Sequence, residues 1–183
     1  MKIDILLTGG ARSGKSTYAE EMARRYGGPV LFVATAEAGD EEMRRRIEKH
    51  KKSRPAGWNT IEVTRGVGRR IKENIGGASV VIVDCITLLV NNILCQYIDR
   101  VGEQFDVKAV EREVITETEE LIGCMKNSAA SFIVVTNEVG TGVIPDNPMA
   151  RLYRDLLGRA NQMLARHADQ VHLMVAGLPL RVK

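Results

Sequence analysis

Residues 9–16 read GGARSGKS, and their types and spacing match the phosphate-binding loop pattern G-x-x-x-x-G-K-[ST]. Glycines let successive backbone N–H groups turn inward around phosphate oxygens, and a following helix adds unpaired N–H groups and partial positive charge. Lys15 could then reach the β- and γ-phosphates of a nucleotide, and Ser16 could hold Mg²⁺. The alternative is an ordinary glycine-rich turn. We predict that the whole segment binds nucleotide phosphates: Gly9, Gly10, Ala11, Arg12, Ser13, Gly14, Lys15 and Ser16.

An acidic residue closes a second apolar stretch, SVVIVD at residues 79–84. An apolar strand ending in aspartate is the Walker-B pattern, whose carboxylate helps to hold Mg²⁺ beside the serine of the phosphate-binding loop. Asp84 is therefore the second candidate magnesium ligand after Ser16. The alternative role for Asp84 is an N-cap of the apolar helix that follows, and one residue could serve both roles.

A histidine lies within a basic segment, EMRRRIEKHKKSRPAGW at residues 42–58. A neutral imidazole can attack phosphorus and form a covalent intermediate, and neighbouring cations would stabilise the charge that develops. His50 is thus a candidate nucleophile. Spacing alone favours a structural alternative, in which His50 joins Met43 and Ile47 on one partly buried helix face and the cations face solvent. His167 and His172 lack a cluster of basic residues like the one around His50 and are expected to be structural.

Alternating strands and helices must position these residues. We predict strands at 3–8, 30–36, 60–63, 79–84, 131–137 and 170–177, and helices at 15–25, 40–54, 68–74, 86–97, 107–127 and 148–167. The last residues, LPLRVK, are expected to form a short tail. This order predicts an α/β fold with a largely parallel sheet and helices on both faces. Ligands bind at the carboxyl ends of such strands, which would bring residues 9–16, 34–36, 84 and the loop 138–148 to one edge.

The composition fits one globular domain over residues 1–183, with 44% hydrophobic and 27% charged residues. A net charge of +3 is too small to indicate a nucleic-acid or membrane-surface partner. No apolar run approaches the roughly 20 residues of a membrane span, and no signal peptide is visible. The three cysteines, Cys85, Cys95 and Cys124, are expected to be reduced thiols of a cytoplasmic protein.

Several segments together resemble the bifunctional adenosylcobinamide kinase / adenosylcobinamide-phosphate guanylyltransferase family of cobalamin biosynthesis. They are TGGARSGKS at 8–16, VATAEAGDEEMRRRIEKHKKSRPAGW at 33–58, VDCITLLVNN at 83–92, TNEVGTGVIPDNPMARLYRDLLGRANQMLA at 136–165 and the closing AGLPLRVK. The arrangements RI-x-x-H-x-x-x-RP-x-x-W and TNEVG-x-G-x-x-P are far more specific than the phosphate-binding loop. The resemblance covers the chain nearly from end to end.

The resemblance implies two reactions. Adenosylcobinamide is phosphorylated with ATP or GTP, and GMP is then transferred from GTP to that phosphate through a guanylylated histidine, giving adenosylcobinamide-GDP and pyrophosphate. His50 stands at the position of that histidine. Lys49 stands where some relatives carry a second histidine, which removes the main rival for the nucleophile. The resemblance also implies a RecA-like P-loop fold and a homotrimer.

The resemblance further implies a set of nucleotide contacts outside the phosphate-binding loop: Ala34, Thr35, Ala36, Lys51, Lys52, Ser53, Arg54, Glu62 and Asp84. The corrinoid site is not indicated by a motif, and the apolar helix 86–94 and the loop 138–148 are both candidates for it. Two other functions remain as alternatives. A plain small-molecule kinase would form no covalent adduct, and a nucleotide-binding switch would turn over slowly with no small acceptor.

Overall fold

The structure is a computed structural model, and it describes residues 2–37, 41, 44–45, 47–48, 51, 54–101 and 105–183, with the backbone alone at residues 100 and 101. The expected helix start at Asp40 and the candidate nucleophile His50 lie outside the described residues, as do Lys52 and Ser53. In the described part of the chain, the helices are all too short or too polar to cross a membrane.

A seven-stranded sheet in the order β3-β2-β4-β5-β1-β6-β7 forms the centre of the molecule. Neighbouring strands are parallel except β6 and β7, which are antiparallel. The strands are β1 (Asp4–Gly9), β2 (Val30–Ala34), β3 (Asn59–Glu62), β4 (Val80–Asp84), β5 (Ser131–Val135), β6 (Gln170–Val175) and β7 (Leu178–Arg181). The helices are α1 (Lys15–Tyr26), α2 (Val67–Asn74), α3 (Ile86–Val101), α4 (Val107–Lys126) and α5 (Pro148–His167).

Two hydrophobic clusters cover the two faces of this sheet. Side chains alternate between the faces of a strand, so Ile5 and Leu7 of β1 belong to the cluster that includes Ala19 and Ala23 of α1. Leu6 points the other way, into the larger cluster built with α2, α3, α4 and α5. The sheet is thereby buried on both sides, which explains why β2, β4 and β5 read as continuous apolar runs. The predicted α/β class and largely parallel sheet are confirmed.

The expected C-terminal tail is wrong, because LPLR forms the edge strand β7. Ala176 and Gly177 both have positive φ, 50° and 85°, and they form the two-residue connection between the paired residues Val175 and Leu178. Positive φ at both central positions is the signature of a tight hairpin, usually encoded by Asn-Gly or Asp-Gly. An alanine at the first position hides that signal in the sequence.

Several predicted strands are also too long at their carboxyl ends. β2 ends at Ala34 and β5 at Val135, before Thr35 and Thr136. Both threonines are fully buried, but their backbone N–H groups bond to neighbouring strand ends, at Asp84 O and Leu7 O respectively. The chain leaves the sheet at these points, and the residues that follow form the edge where the predicted site lies.

Candidate functional site

The phosphate-binding loop connects β1 to α1 and packs against the turn between β6 and β7. The backbone N–H of Gly177 donates to Ser13 O at 3.0 Å. A Cβ added to Gly14 would lie 3.1 Å from the Cα of Gly177, and one added to Gly9 would lie 2.5 Å from Met174 O. Glycine is required at both positions by close approach and by φ values of +94° and +141°. The hairpin that the sequence analysis missed therefore supports the loop from behind.

Lys15 lies inside this loop and is only 7% exposed. Its Nζ donates to the carbonyl oxygens of Gly9 at 3.0 Å and Gly10 at 2.6 Å, and lies 3.4 Å from Ser13 Oγ. Gly14, the N-cap residue of α1, has no side chain with which to cap the first N–H groups of the helix. The ammonium group and the start of α1 together suit an anion such as a nucleotide phosphate.

The carboxyl ends of β2 and β4 are joined by a buried threonine. The Thr35 hydroxyl donates to Cys85 O at 2.6 Å and accepts from Cys85 N at 2.7 Å, while the Asn92 amide donates to Thr35 O at 2.9 Å. Because Thr35 is fully buried and bonded in this way, it positions the ends of the two strands.

Asp84 is the last residue of β4 and lies at this junction. Helix α3 begins at Ile86, and its first helical hydrogen bond is accepted by Cys85 O, so Asp84 is not at the N-cap position that the sequence allowed. Burial, followed by the charge of Asp84, raises the pKa of the Cys85 thiol to about 12, with Lys15 acting weakly in the opposite direction. Cys85 is therefore a protonated thiol and a poor nucleophile.

A polar cavity of about 580 Å³ opens beside β3. It is lined by Lys51, Arg54, Pro55, Ala56, Trp58, Thr60 and Glu62. Lys51 Nζ lies 2.5 Å from Glu62 Oε1, and the hydrogen bond to this carboxylate raises the pKa of Lys51. The strand register places Ala34 opposite Glu62 on one side and Asp84 on the other, so three predicted contact positions lie side by side.

Arg54 is the most unusual side chain in this cavity. Its guanidinium carbon lies 3.8 Å from the centre of the Phe32 ring, a cation–π contact that holds the group against β2. The buried Nε and Nη1 atoms find no hydrogen-bond partner among the described residues. Burial lowers the pKa of Arg54, an effect that Asp84, Glu20 and Glu62 partly oppose. A desolvated cation with two unsatisfied donors is suited to an anionic partner such as a phosphate or carboxylate.

The structure thus brings most of the predicted nucleotide contacts to one edge of the sheet, namely residues 9–16, 34–36, 51, 54, 62 and 84. The contribution of Phe32 and the lining by Trp58 and Thr60 were not predicted, because the strand pattern marks Phe32 only as a core residue. Apart from the partly exposed Leu88, the apolar side chains of the candidate corrinoid helix 86–94 are instead buried in the core.

The two described histidines have structural partners, as expected. His167 Nε2 lies 3.2 Å from Asp4 Oδ2. Asp4 is the first residue of β1, whereas the phosphate-binding loop follows the other end of that strand. His172 lies on β6, with its ring centre 6.1 Å from that of Tyr18. Neither histidine belongs to the candidate site.

A family model described as "Cobinamide kinase / cobinamide phosphate guanyltransferase" matches residues 5–182. The chain belongs to this family. Proteins named "Bifunctional adenosylcobalamin biosynthesis protein CobU" are similar to it: that of Salmonella typhimurium is 41% identical and that of Escherichia coli 39% identical, each over 98% of this chain and 99% of the relative. The Pseudomonas aeruginosa protein CobP, with the same description, is 37% identical over 97% of this chain and 96% of its own.

Solved structures support the fold independently of sequence. The RadB recombinase superposes with a TM-score of 0.52 at 17% identity, covering 93% of this chain and 73% of the recombinase. A protein from Pyrococcus horikoshii OT3 superposes with a TM-score of 0.56 at 9% identity, covering all of this chain and 88% of its own. The RecA-like P-loop fold implied by the resemblance is confirmed.

Ser16 and Asp84 supply a hydroxyl and a carboxylate, which are hard oxygen donors of the kind Mg²⁺ prefers. Among the described residues there is no group of three or more His, Cys, Asp or Glu side chains that could hold a metal ion by itself. Mg²⁺ carried with a nucleotide commonly takes one or two protein ligands, such as this hydroxyl and carboxylate, and completes its shell with phosphate oxygens and water.

Proposed function

We propose that this protein phosphorylates the aminopropanol hydroxyl of adenosylcobinamide and then transfers GMP from GTP to the new phosphate. The observation that carries the proposal is the placement of Arg54. Arg54 lines a cavity at the same sheet edge as the phosphate-binding loop, and it lies four residues after the histidine that would carry the nucleotide. Two of its buried donors have no partner among the described residues. Family membership indicates the substrates. The cationic groups at this edge of the sheet are suited to both the phosphoryl and the guanylyl transfer.

In the kinase step, the phosphate-binding loop would hold the donor nucleotide. Lys15 would exchange its bonds to Gly9 O and Gly10 O for phosphate oxygens and stabilise charge on the transferred group. Mg²⁺, held by Ser16 and Asp84, would neutralise the triphosphate when bound. The acceptor hydroxyl attacks the γ-phosphorus, the bond to the nucleoside diphosphate breaks, and the hydroxyl proton is released.

In the guanylyl transfer, the neutral ring of His50 would attack the α-phosphorus of GTP. A nitrogen–phosphorus bond forms, the bond to the β-phosphate oxygen breaks, and pyrophosphate leaves. A phosphate oxygen of adenosylcobinamide phosphate then attacks the same phosphorus and displaces the imidazole. Arg54 and Lys51 would stabilise the charge on the phosphates during both displacements, and the bond to Glu62 keeps Lys51 close to the cavity.

Product analysis tests this proposal. Enzyme, Mg²⁺, GTP and adenosylcobinamide should yield adenosylcobinamide phosphate, then adenosylcobinamide-GDP, separable by chromatography. We expect Arg54→Lys, which keeps the charge but loses the planar donor fork, to reduce guanylyl transfer about tenfold or more. The exposed Arg166→Lys is the matched control and should behave as wild type. Phosphorylated product without any GDP adduct would reduce the function to a plain kinase, and absence of both products would refute the proposal.

We further infer from the resemblance that the protein is a cytoplasmic homotrimer. Its three cysteines form no disulfide in the described part of the chain, as a reducing compartment requires. Sedimentation equilibrium should give three times the chain mass of 20.2 kDa. A single-chain mass at micromolar concentration would contradict the trimer.

A further inference from the structure

The loop between β5 and α5 presents apolar side chains to solvent at the edge where the site lies. Val143 is 95% exposed and Ile144 is 65% exposed. Two adjacent β-branched residues at a loop tip are costly to leave in water, since neither packs against the core in this structure. Two adjacent exposed residues of this kind form a contiguous apolar surface that a ligand could cover.

Hydrogen bonds fix both ends of this loop. At its start, the backbone N–H of Glu138 donates to Gly9 O at 3.1 Å, which ties the loop directly to the phosphate-binding loop. At its end, the Arg151 Nη1 atom donates to the carbonyl oxygens of Pro145 at 2.8 Å and Asp146 at 2.6 Å. Both ends of the loop that carries the apolar tip are therefore held in place, and the first of them lies against the phosphate-binding loop.

The other apolar candidate at this edge offers little surface to solvent. Helix α3 begins at Ile86, and apart from the partly exposed Leu88 the apolar side chains of residues 86–94 belong to the core: Ile86, Leu89, Val90, Ile93 and Leu94 are at most 4% exposed. They could contact a ligand only if the core opened. Of the two candidate segments, the loop has the more accessible apolar side chains.

We propose that Val143 and Ile144 form a contact surface for the corrin ring of the acceptor substrate. The inference rests on the proposed function. A corrin ring is a large macrocycle whose rim carries methyl groups beside its amide side chains, while its aminopropanol arm ends in the hydroxyl that is phosphorylated. When that hydroxyl lies at the phosphate-binding loop, the ring must lie outside it, and the exposed apolar tip belongs to a loop that begins against the phosphate-binding loop.

The experiment measures corrinoid and nucleotide binding separately. We replace both tip residues, Val143→Ser together with Ile144→Ser, and titrate the protein with adenosylcobinamide, whose visible absorbance reports binding. The Kd for adenosylcobinamide and the KM for its phosphate should each rise about tenfold or more, because the ring loses two apolar contacts. The Kd for GTP and the labelling of the protein by GTP should stay within about twofold of wild type, a change worth less than half a kcal/mol.

The matched control replaces two exposed apolar residues away from the loop, Leu180→Ser together with Val182→Ser, which are 60% and 64% exposed. This variant should bind the corrinoid as wild type does. An unchanged corrinoid Kd in the loop variant would overturn the inference, and so would an equal loss in the control. If the double loop variant folds poorly, the corrinoid Kd of Val143→Ser alone is measured instead, because that side chain is 95% exposed and its loss should not affect folding.

Failure of the proposed function gives a different result. If wild-type protein binds adenosylcobinamide but makes no product, the proposed reactions are wrong. The corrinoid Kd of the loop variant then still tests whether Val143 and Ile144 contact the corrinoid. If wild-type protein does not bind adenosylcobinamide at all, the surface is overturned together with the function. If wild type is active and the loop variant keeps its corrinoid affinity, only the surface is overturned.

Discussion

Gly9 and Gly10 are adjacent in the phosphate-binding loop, but the structure gives them very different surroundings. Gly9 has φ of +141°, and an added Cβ would lie 2.5 Å from Met174 O and 3.2 Å from Met174 N. Both are backbone atoms of β6, and Gly9 pairs with Met174 in the sheet, so neither can move without disturbing the register. An added Cβ at Gly10 would meet nothing within 4 Å, and its φ lies outside the positive region.

We predict that Gly9→Ala lowers the free energy of unfolding by about 3 kcal/mol or more. A side chain at this φ costs roughly 1–3 kcal/mol, and forcing a methyl group against fixed backbone costs roughly another 1–3 kcal/mol. For a chain of this length, 3 kcal/mol corresponds to a fall in Tm of roughly 6–12 °C. Gly10→Ala should stay within about 0.5 kcal/mol of wild type.

Circular dichroism melting without nucleotide measures this difference, because ligand binding would otherwise add to the stability of each variant. The comparison within one loop removes general effects of adding a methyl group. Equal melting temperatures for Gly9→Ala and Gly10→Ala would refute the close packing of this loop against β6.

Three further predictions concern the framework. Glu117 accepts two backbone N–H groups at the start of α2, at 2.6 and 3.0 Å, so Glu117→Ala should lower stability by about 2–3 kcal/mol in urea unfolding, while exposed Glu119→Ala should change little. The Asn147 side chain caps α5 with bonds of 2.7 and 3.2 Å, so Asn147→Ala should cost about 1 kcal/mol and Asn147→Ser much less. Burial, followed by the charge of Arg181, lowers the pKa of His172 below 6.5. The unfolded chain therefore binds that proton first, stability is lost as the pH falls below 6.5, and His172→Leu should reduce the loss.

The arrangement of the sheet and the place of the site follow from local patterns. Apolar runs that alternate with amphipathic segments predict a parallel sheet, and the carboxyl ends of such strands must meet at one edge. The spacing of glycine, lysine and serine in residues 9–16 adds the phosphate chemistry. These rules act on neighbouring residues or on topology, so a single sequence is sufficient to apply them.

The parts that could not be predicted depend on contacts between distant residues. Nothing near Arg54 in the sequence indicates that its guanidinium covers Phe32, 22 positions earlier. The burial of Thr35 and its bonds to Cys85 likewise require β2 and β4 to be neighbours. β7 was missed for a local reason, since Ala176 is an uncommon residue at the positive φ of a hairpin turn.

The central claim is that His50 carries GMP covalently between the two substrates. GTP labelled at the α-phosphate is incubated with Mg²⁺ and either wild type or His50→Ala, and the protein is separated on a denaturing gel. We predict a label on wild type that survives alkali and is lost in acid, as a phosphoramidate requires, and no label on His50→Ala. An unlabelled wild type that still binds GTP, or a label that persists in His50→Ala, would contradict the account.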